Sequence, residues 1–288
     1  AINSELHLMH SWNTRLRINQ NPEQDIQVSI PFENVTYTLD LEPYSIRSDE
    51  YQVYMQDDAG ELYEVPAGPI RTLRGSIIEL EGSVVAGSLM EDGLYARIRL
   101  ADGQEFWMEP VGEKLEGVAS DVYAFYNTDD IIPSGGECAA EDHMDVAGIL
   151  AMQANYEPRS TNRGTIICTA QLACDTDYEY YQDWGGQTES RINQVINSMN
   201  SQYESQLDIT HEITTVIVRS SSSDPYTSND AGTLLDQFAN EWQSGYPSRD
   251  LAHLFTGRNL NSGTIGIAWL GSVCTGYAYG LVESDCCG

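Results

Sequence analysis

The feature that most constrains the fold is a change of periodicity partway along the chain. Between residues 26 and 126, apolar and polar residues alternate in short runs, which is the pattern of β-strands with one buried face. Turn sequences such as DDAG, EDG and ADG separate the runs. The runs are IQVSIPF, VTYTLDL, YQVYM, GSIIELEGSVVAGSL, GLYARIRL and EFWMEPV. This spacing predicts an antiparallel sandwich or barrel.

The second half of the chain mixes strand and helix patterns. TIICTAQLAC (165–174) predicts a buried strand, and 188–206 predicts a helix because its apolar residues recur at spacings of three, four and seven. DITHEITTVIVR (208–219) predicts a strand, 231–243 a second helix, and LAHLFTG and TIGIAWL two more strands. This order favours a mostly parallel sheet covered by helices. The predicted fold class is therefore α+β overall, with an α/β C-terminal part.

The two predicted helices have defined inward faces. Thr188 is the expected N-cap of the first helix, because a hydroxyl at that position can accept a backbone amide. The inward face of the first helix is predicted to consist of Ile192, Val195, Ile196, Met199, Tyr203 and Leu207. That of the second is predicted to consist of Leu234, Leu235, Phe238 and Trp242.

Residues 127–163 differ from both halves. They contain few strand formers, several glycine and proline residues and an acidic run, which is typical of a linker with one short helix near residues 144–153. We therefore predict three parts: a β-rich domain at 1–126, a linker at 127–163 and an α/β part at 164–288. The polar segment EPRSTNR (157–163) is the expected cleavage zone between the two domains.

Charge and cysteine content limit the classes of partner and compartment. The chain has 44 acidic and 14 basic residues, and its net charge of −30 argues against nucleic acid and against anionic membrane surfaces as partners. It contains no apolar run of about 18 residues that would span a membrane. Six cysteines without a CxxC pair favour a disulfide-containing, secreted or extracellular protein over a thiolate zinc site.

Two histidines invite a metal interpretation that the local pattern does not support. His211 and Glu212 begin an HExx sequence, but residue 215 is threonine, whereas zinc sites of this type need a second histidine there. The segment is also predicted to be a strand, on which side chains four residues apart lie too far apart for one zinc ion. His253 alternates with apolar neighbours, which favours a surface or hydrogen-bonded histidine of a sheet.

Three segments near the C-terminus carry a family resemblance: DLAHLFTGR, TIGIAWLGSVC and YGLV. Together with CDTDYEYYQDWGG (174–186), they resemble the reprolysin (adamalysin/ADAM-like) branch of the metzincin zinc proteases. GSIIELEGSVVAGSLMEDGLYARIRLADGQEFWMEPV resembles the propeptide of the same family. The resemblance implies a latent, secreted zinc metalloendopeptidase precursor, present as its pro-domain and the N-terminal subdomain of its catalytic domain. Its expected partners are a protein or peptide substrate and its own C-terminal catalytic portion.

The same resemblance places the zinc-binding helix, HExxHxxGxxH, just beyond Gly288. We therefore expect that the 288 residues alone hydrolyse no peptide. In the family, a pro-domain cysteine often caps the catalytic zinc, and Cys138 is the candidate by position. Its surroundings, GGECAAED, depart from the family pattern. A disulfide cysteine or a free thiol is the alternative for Cys138.

The resemblance also suggests binding residues. Gly266, Ile267 and Ala268 would form an edge strand at the rim of the substrate cleft; the alternative is a buried strand of the sheet. Asp250 matches a family position that can bind calcium with a Glu from the opening strand. Here Thr169 or Gln171 lies near the expected Glu position, so a solvated or capping Asp is favoured.

The resemblance further implies how the cysteines pair. Cys274 would bond a partner beyond the zinc helix. If Cys138 is the zinc cap, the remaining four could form two bridges: Cys168, Cys174, Cys286 and Cys287. A protein of another class, a non-catalytic binding or inhibitory module derived from a protease, is the alternative to the enzyme.

Overall fold

The computed structural model describes residues 1–32, 35–112, 114–133, 135–139, 167–243, 246–273 and 276–284. Within them, the helices are α1 (Ile2–Glu5), α2 (Tyr178–Trp184), α3 (Thr188–Leu207) and α4 (Ala231–Trp242). The strands are β1 (Trp12–Arg15), β2 (Ile26–Phe32), β3 (Val35–Pro43), β4 (Arg47–Gln56), β5 (Leu62–Val65), β6 (Thr72–Ile77), β7 (Val84–Leu89), β8 (Leu94–Arg99), β9 (Glu105–Pro110), β10 (Val122–Asn127), β11 (Glu137–Cys138), β12 (Cys168–Thr176), β13 (Ile209–Val218), β14 (Leu251–Thr256), β15 (Thr264–Ala268) and β16 (Tyr279–Glu283).

The first sheet is antiparallel throughout and has the order β1-β10-β9-β8-β7-β6-β3-β2. The sheet curls so that its two edge strands, β1 and β2, come together. Trp12 on β1 and Phe32 on β2 pack edge to face there, with ring centroids 4.6 Å apart. Leu39, Leu73 and Leu94 are fully buried inside the curl. The antiparallel, nearly barrel-like architecture agrees with the prediction from the alternating runs.

The second sheet is mostly parallel and has the order β11-β15-β16-β14-β12-β13-β4-β5. Strands β16, β14, β12, β13 and β4 run parallel, whereas β15 is antiparallel to β16 and β5 is antiparallel to β4. Helices α3 and α4 cover opposite faces: Leu254 of β14 packs in the cluster that contains α4, and the next residue, Phe255, packs in the cluster that contains α3.

The run YQVYM departs from the expectation that it belongs to the N-terminal sheet. It lies on β4, which pairs in parallel with β13, with Val53 opposite Val216. The period-two pattern is correct for the strand, but such a pattern fixes which face is buried and not which strand is the neighbour. The N-terminal region therefore contributes a hairpin, β4 and β5, to the second sheet.

Helix α3 differs from the prediction in two details. Its N-cap is Gln187, and the Thr188 hydroxyl donates to the Gly185 carbonyl instead of accepting an amide. Tyr203 and Leu207, predicted to face inward, are 37% and 57% exposed. The buried face of α3 includes four amide side chains. Asn193 and Asn197 contact the N-terminal region, Asn200 contacts β13, and Gln194 accepts a hydrogen bond from Arg191 of the same helix. The inward face of α3 is therefore more polar than the spacing of apolar residues predicted.

Helix α4 has the predicted inward face. Leu234, Leu235, Phe238 and Trp242 are all buried. The helix begins after Asp230, whose carboxylate accepts the Thr233 amide at 2.9 Å. Over the described part of the chain, no helix has both the length and the apolar character needed to cross a membrane.

Candidate functional site

The candidate site centres on β15, which holds the predicted rim residues. On one side β15 pairs antiparallel with β16, with Gly266 opposite Val282 and Ala268 opposite Gly280. On its other side, β15 pairs in parallel with β11, so that Cys138 lies opposite Gly266. The structure thus brings together two positions that lie far apart in sequence, the candidate cysteine and the candidate rim strand.

Two glycines permit the close packing around β15. A Cβ added to Gly136, just before β11, would lie 2.1 Å from Cγ2 of Ile265. A Cβ added to Gly266 would lie 2.9 Å from the carbonyl oxygen of Leu281 on β16. A side chain at position 266 would collide with the neighbouring strand β16. Gly136, in turn, lets the linker segment lie against β15.

The cover that β11 provides is thin. The strand has two residues, Glu137 and Cys138, and both are exposed. Its register with β15 shifts between these two residues. Cys138 is a free thiol in this arrangement. The free-thiol alternative therefore describes its state here, and its capping role stays a prediction.

His253 lies in the middle of the sheet, one strand from β15's neighbour. It is opposite Gly280 on β16, and its ring packs edge to face against Phe255 with centroids 5.2 Å apart. Burial lowers the pKa of His253 to about 4, because the charged imidazolium is poorly solvated there. The ring is therefore neutral at neutral pH.

A buried ion pair anchors the carboxyl ends of β12 and β13. The Arg219 guanidinium donates to both oxygens of Asp175 at 3.0 and 2.9 Å, and both residues are almost fully buried. The Tyr226 hydroxyl and the Trp242 indole donate to the same carboxylate at 2.7 and 2.8 Å. With the Thr176 amide, which donates at 2.9 Å, five hydrogen bonds reach this carboxylate and make it a rigid structural support for α4.

Asp177 joins α2 to β14. Its Oδ1 accepts the amides of Tyr180 and Gly257 at 2.8 and 2.9 Å, and Oδ2 accepts the Thr256 hydroxyl. Burial raises the pKa of Asp177 to about 6, although these hydrogen bonds act in the opposite direction. The residue acts as the N-cap of α2 and holds the end of β14 in place.

Asp250 does not lie with the β15 residues. Its carboxylate accepts the Gln171 amide at 2.8 Å, and its own amide donates to the Gln171 carbonyl at 3.0 Å. Asp250 thus contacts the backbone of β12 at Gln171, and a calcium site there stays a prediction. His211 lies on β13, as predicted, with its Nδ1 2.9 Å from Oδ1 of Asn200.

The remaining predictions concern metal and cysteine sites. Across the described ranges, no group of three or more His, Cys, Asp or Glu side chains is placed to hold a metal ion, so these residues do not by themselves fit zinc. Cys168 is exposed and Cys174 is buried, and each is a free thiol. Several predicted features lie outside the described residues: Cys274, Cys286, Cys287, the helix at 144–153 and the cleavage zone at 157–163.

A groove of about 630 Å³ lies at the opposite edge of the second sheet from β15. Tyr54 and Glu61 of the β4–β5 hairpin line it together with Thr215, Arg219 and Glu241. Arg219 is already held by Asp175 and Glu241. The groove is therefore a product of the hairpin's attachment, and it is separate from the β15 edge.

Sequence reasoning missed the partner of β11 and the buried polar groups. A two-residue exposed strand has no periodicity to detect. The Asp175–Arg219 pair left a signal that was not used: each charge sits at the end of an otherwise apolar strand run, where an unpaired charge would be costly. A weaker signal was the glycine pair at 135–136, which lies just before Cys138.

Comparison with known proteins assigns the C-terminal half. Residues 168–287 match the family model Reprolysin_5, Metallo-peptidase family M12. No curated protein is similar enough to the chain to give a match. The match begins at β12 and includes every later element of the second sheet, β15 among them. Residues 168–287 are therefore similar to the reprolysin-like metallopeptidases of family M12.

Proposed function

We propose that this chain is part of a secreted, zinc-dependent metalloendopeptidase precursor that hydrolyses peptide bonds and is held latent by its N-terminal residues. The observation that carries the proposal is the pairing of Glu137–Cys138 with β15. The M12 match supports a metallopeptidase. The pairing of β11 with β15 supports latency.

An edge strand binds extended peptides by backbone hydrogen bonds, because its outer amides and carbonyls have no partner within the sheet. Strand β15 has β16 on one side, which leaves one side for a peptide. Strand β11 takes that side at Gly266. A peptide substrate and β11 therefore compete for the same backbone groups of β15. While β11 is paired with β15, a peptide cannot bind to that strand.

Zinc dependence rests on the family, since the described residues do not themselves supply a zinc site. Cys138 is one candidate ligand, because a thiolate binds zinc strongly. Cys138 is exposed and lies beside Gly266. Gly266 belongs to β15, the strand that the family uses at its cleft. We derive no catalytic step through the metal from these residues.

The first test is the reading frame that follows the codon for Gly288. An HExxHxxGxxH sequence there supports the enzyme, whereas a stop codon favours the non-catalytic binding module. The 288-residue chain itself, purified and supplied with zinc, should cleave no peptide. Cleavage by this chain would contradict the placement of the catalytic residues.

The second test addresses latency in a protein that contains the motif. Gly136→Ala should raise peptide hydrolysis by the unprocessed protein, because the added methyl group collides with Ile265 and displaces β11 from β15. Gly186→Ala is the matched control, since a Cβ there meets nothing within 4 Å. Equal rates for the two variants would refute the blocking role of β11.

A further inference from the structure

We infer that the N-terminal unit, residues 1–139, remains bound to the C-terminal unit, residues 167–284, after the chain is cut between them. The N-terminal unit is then a permanent, non-covalent subunit and not a segment that departs on processing. The inference rests on the contacts between the two units and does not require that the protein hydrolyse peptides.

The first contact is a strand ladder. Strand β4 pairs with β13 at Arg47, opposite Ile213, and, after a shift of register, continuously from Gln52, opposite Thr215, to Met55, opposite Val218. The ladder extends at both ends: the Ile213 amide donates to the carbonyl of Ile46 at 2.8 Å, and the hydroxyl of Ser220 donates to the carbonyl of Gln56 at 2.6 Å. Strand addition along such a length is a recognised mode of protein association.

The ladder carries apolar side chains into the core of the C-terminal unit. Ile46 is 3% exposed and packs in the same cluster as Leu172, Cys174 and Ile213. Val53, in the middle of β4, is also 3% exposed. Because Ile46 packs among side chains of the C-terminal unit, separation of the units would expose apolar surface on both.

A second contact is a charged cluster around Glu189 of α3. Its Oε1 accepts the Tyr51 hydroxyl at 2.9 Å and lies 3.0 Å from the Arg47 guanidinium, while Oε2 accepts the Gly68 amide at 2.9 Å. The Arg47 side chain is 10% exposed. Every one of these partners of Glu189 belongs to the N-terminal unit, so the carboxylate is satisfied across the boundary.

A third contact lies farther along α3, where Asn197 is fully buried. Its Oδ1 accepts from Nε of Arg74 at 2.8 Å, and its Nδ2 donates to the carbonyls of Leu73 and Gly87 at 3.2 and 2.8 Å. These partners come from β6 and β7 of the first sheet. The N-terminal unit thus contacts both the oxygen and the nitrogen of the Asn197 side chain, which fixes the orientation of α3 on that unit.

The position of the cut decides what else stays in place. Strand β11 follows β10 in the chain and precedes the connecting residues 140–166, so a cut within 140–166 leaves β11 on the N-terminal unit. While that unit stays docked, β11 is held beside β15 at a high effective concentration. A single cut between the units should therefore leave the β15 edge covered.

The test is to replace residues 157–163 in the full chain with the recognition sequence of a specific protease and to cut the folded protein. We expect the two fragments to co-elute on size exclusion at about 1 µM, a concentration that a specific interface sustains. Intact mass should show both fragments in the peak, and the amides of Val216–Val218 should keep the hydrogen-exchange protection of the uncut protein. Separate peaks, or loss of that protection, would overturn the inference.

Variants of the Glu189 cluster sharpen the test. Arg47→Ala should raise the Kd of the cut fragments about 100-fold, because the partly buried Glu189 carboxylate loses its charged partner. The control is Arg15→Ala, whose side chain is 70% exposed and pairs with Asp121 inside the N-terminal unit. Equal Kd values for the two variants would count against the interface. If uncut Arg47→Ala does not fold, Tyr51→Phe carries the test, with an expected increase in Kd of about 5-fold.

Discussion

The two edges of the second sheet are both covered by the N-terminal unit, but in very different ways. At one edge, β4 runs beside β13 for most of its length and is backed by the Glu189 and Asn197 contacts. At the other, two exposed residues of β11 lie beside β15. Strand β4 therefore attaches the N-terminal unit to the C-terminal unit. Strand β11 makes few contacts with β15, and it is held there mainly because it is joined to the N-terminal unit.

This difference shows why strand pairing alone does not decide how firmly a segment is held. A backbone hydrogen bond contributes only about 1 kcal/mol net, since water replaces it when the strands part. Burial of side chains such as Val53 and the satisfaction of Asn197 add the larger share at β13. Strand β11 has no buried side chain, so its release should cost little.

The contrast predicts a large loss of stability when the β13 side is damaged. Arg74→Ala should lower the free energy of unfolding by about 3 kcal/mol, because Oδ1 of the buried Asn197 loses its donor. Urea denaturation of the full chain measures the change. Arg15→Ala, at an exposed ion pair, should change it by less than about 0.5 kcal/mol. A comparable small loss for both variants would remove the physical basis for the contrast.

The same edge should be sensitive to alkaline pH. Burial and the Glu189 carboxylate raise the pKa of Tyr51 well above its ordinary value of 10.0. A raised native pKa means that the folded state holds the proton more tightly, so this contribution is complete below pH 10 and declines as pH rises further.

Tyr51→Phe tests that contribution directly. It should cost about 1 kcal/mol at pH 7 through the lost hydrogen bond to Glu189. The stability difference between wild type and variant should shrink above about pH 10, where the unfolded tyrosine ionises. Urea titrations at a series of pH values measure it. A difference that stays constant to pH 11 would show that Tyr51 is not held as described.

The β15 side should respond locally and not globally. Gly136→Ala should change the free energy of unfolding by about 0.5 kcal/mol, because only a two-residue pairing is lost. Hydrogen exchange at β15 should nevertheless increase, and Gly186→Ala should leave it unchanged. A global loss as large as that of Arg74→Ala would mean that β11 is part of the core structure.

The smallest effect is expected at the thiol itself. Cys138→Ser should alter the free energy of unfolding by less than about 0.5 kcal/mol, because the side chain is exposed and unbonded. Urea denaturation without a reducing agent measures this, so that any disulfide in the wild type stays intact. A larger loss would indicate that the thiol has a structural partner, as the disulfide alternative requires.

The sequence predicts individual elements well and their partners poorly. IQVSIPF coincides with β2 from end to end, and the helix predicted at 188–206 is observed at Thr188–Leu207. Alternation reports only that one face of a strand is buried, so it could not show that YQVYM pairs with β13. Asparagine is usually exposed, so the burial of Asn197 depends on carbonyls that only the folded N-terminal unit presents.

The site follows the same rule. The strand at β15 was predicted from its own strand pattern, and the role of Gly266, Ile267 and Ala268 at a cleft stays a prediction. Its neighbour, Cys138, was found only as a position in a linker. Their juxtaposition depends on the path of the chain from β10 through Gly136, which leaves no periodic trace in the sequence.

The outermost strands of the second sheet have two and four residues, β11 and β5. Short outer strands present few free backbone groups, which limits edge-to-edge aggregation between molecules. The C-terminal unit produced without residues 1–139 would instead offer the full lengths of β13 and β15 to solvent. We expect such a fragment to associate with copies of itself and precipitate, so the N-terminal unit also protects the solubility of the protein.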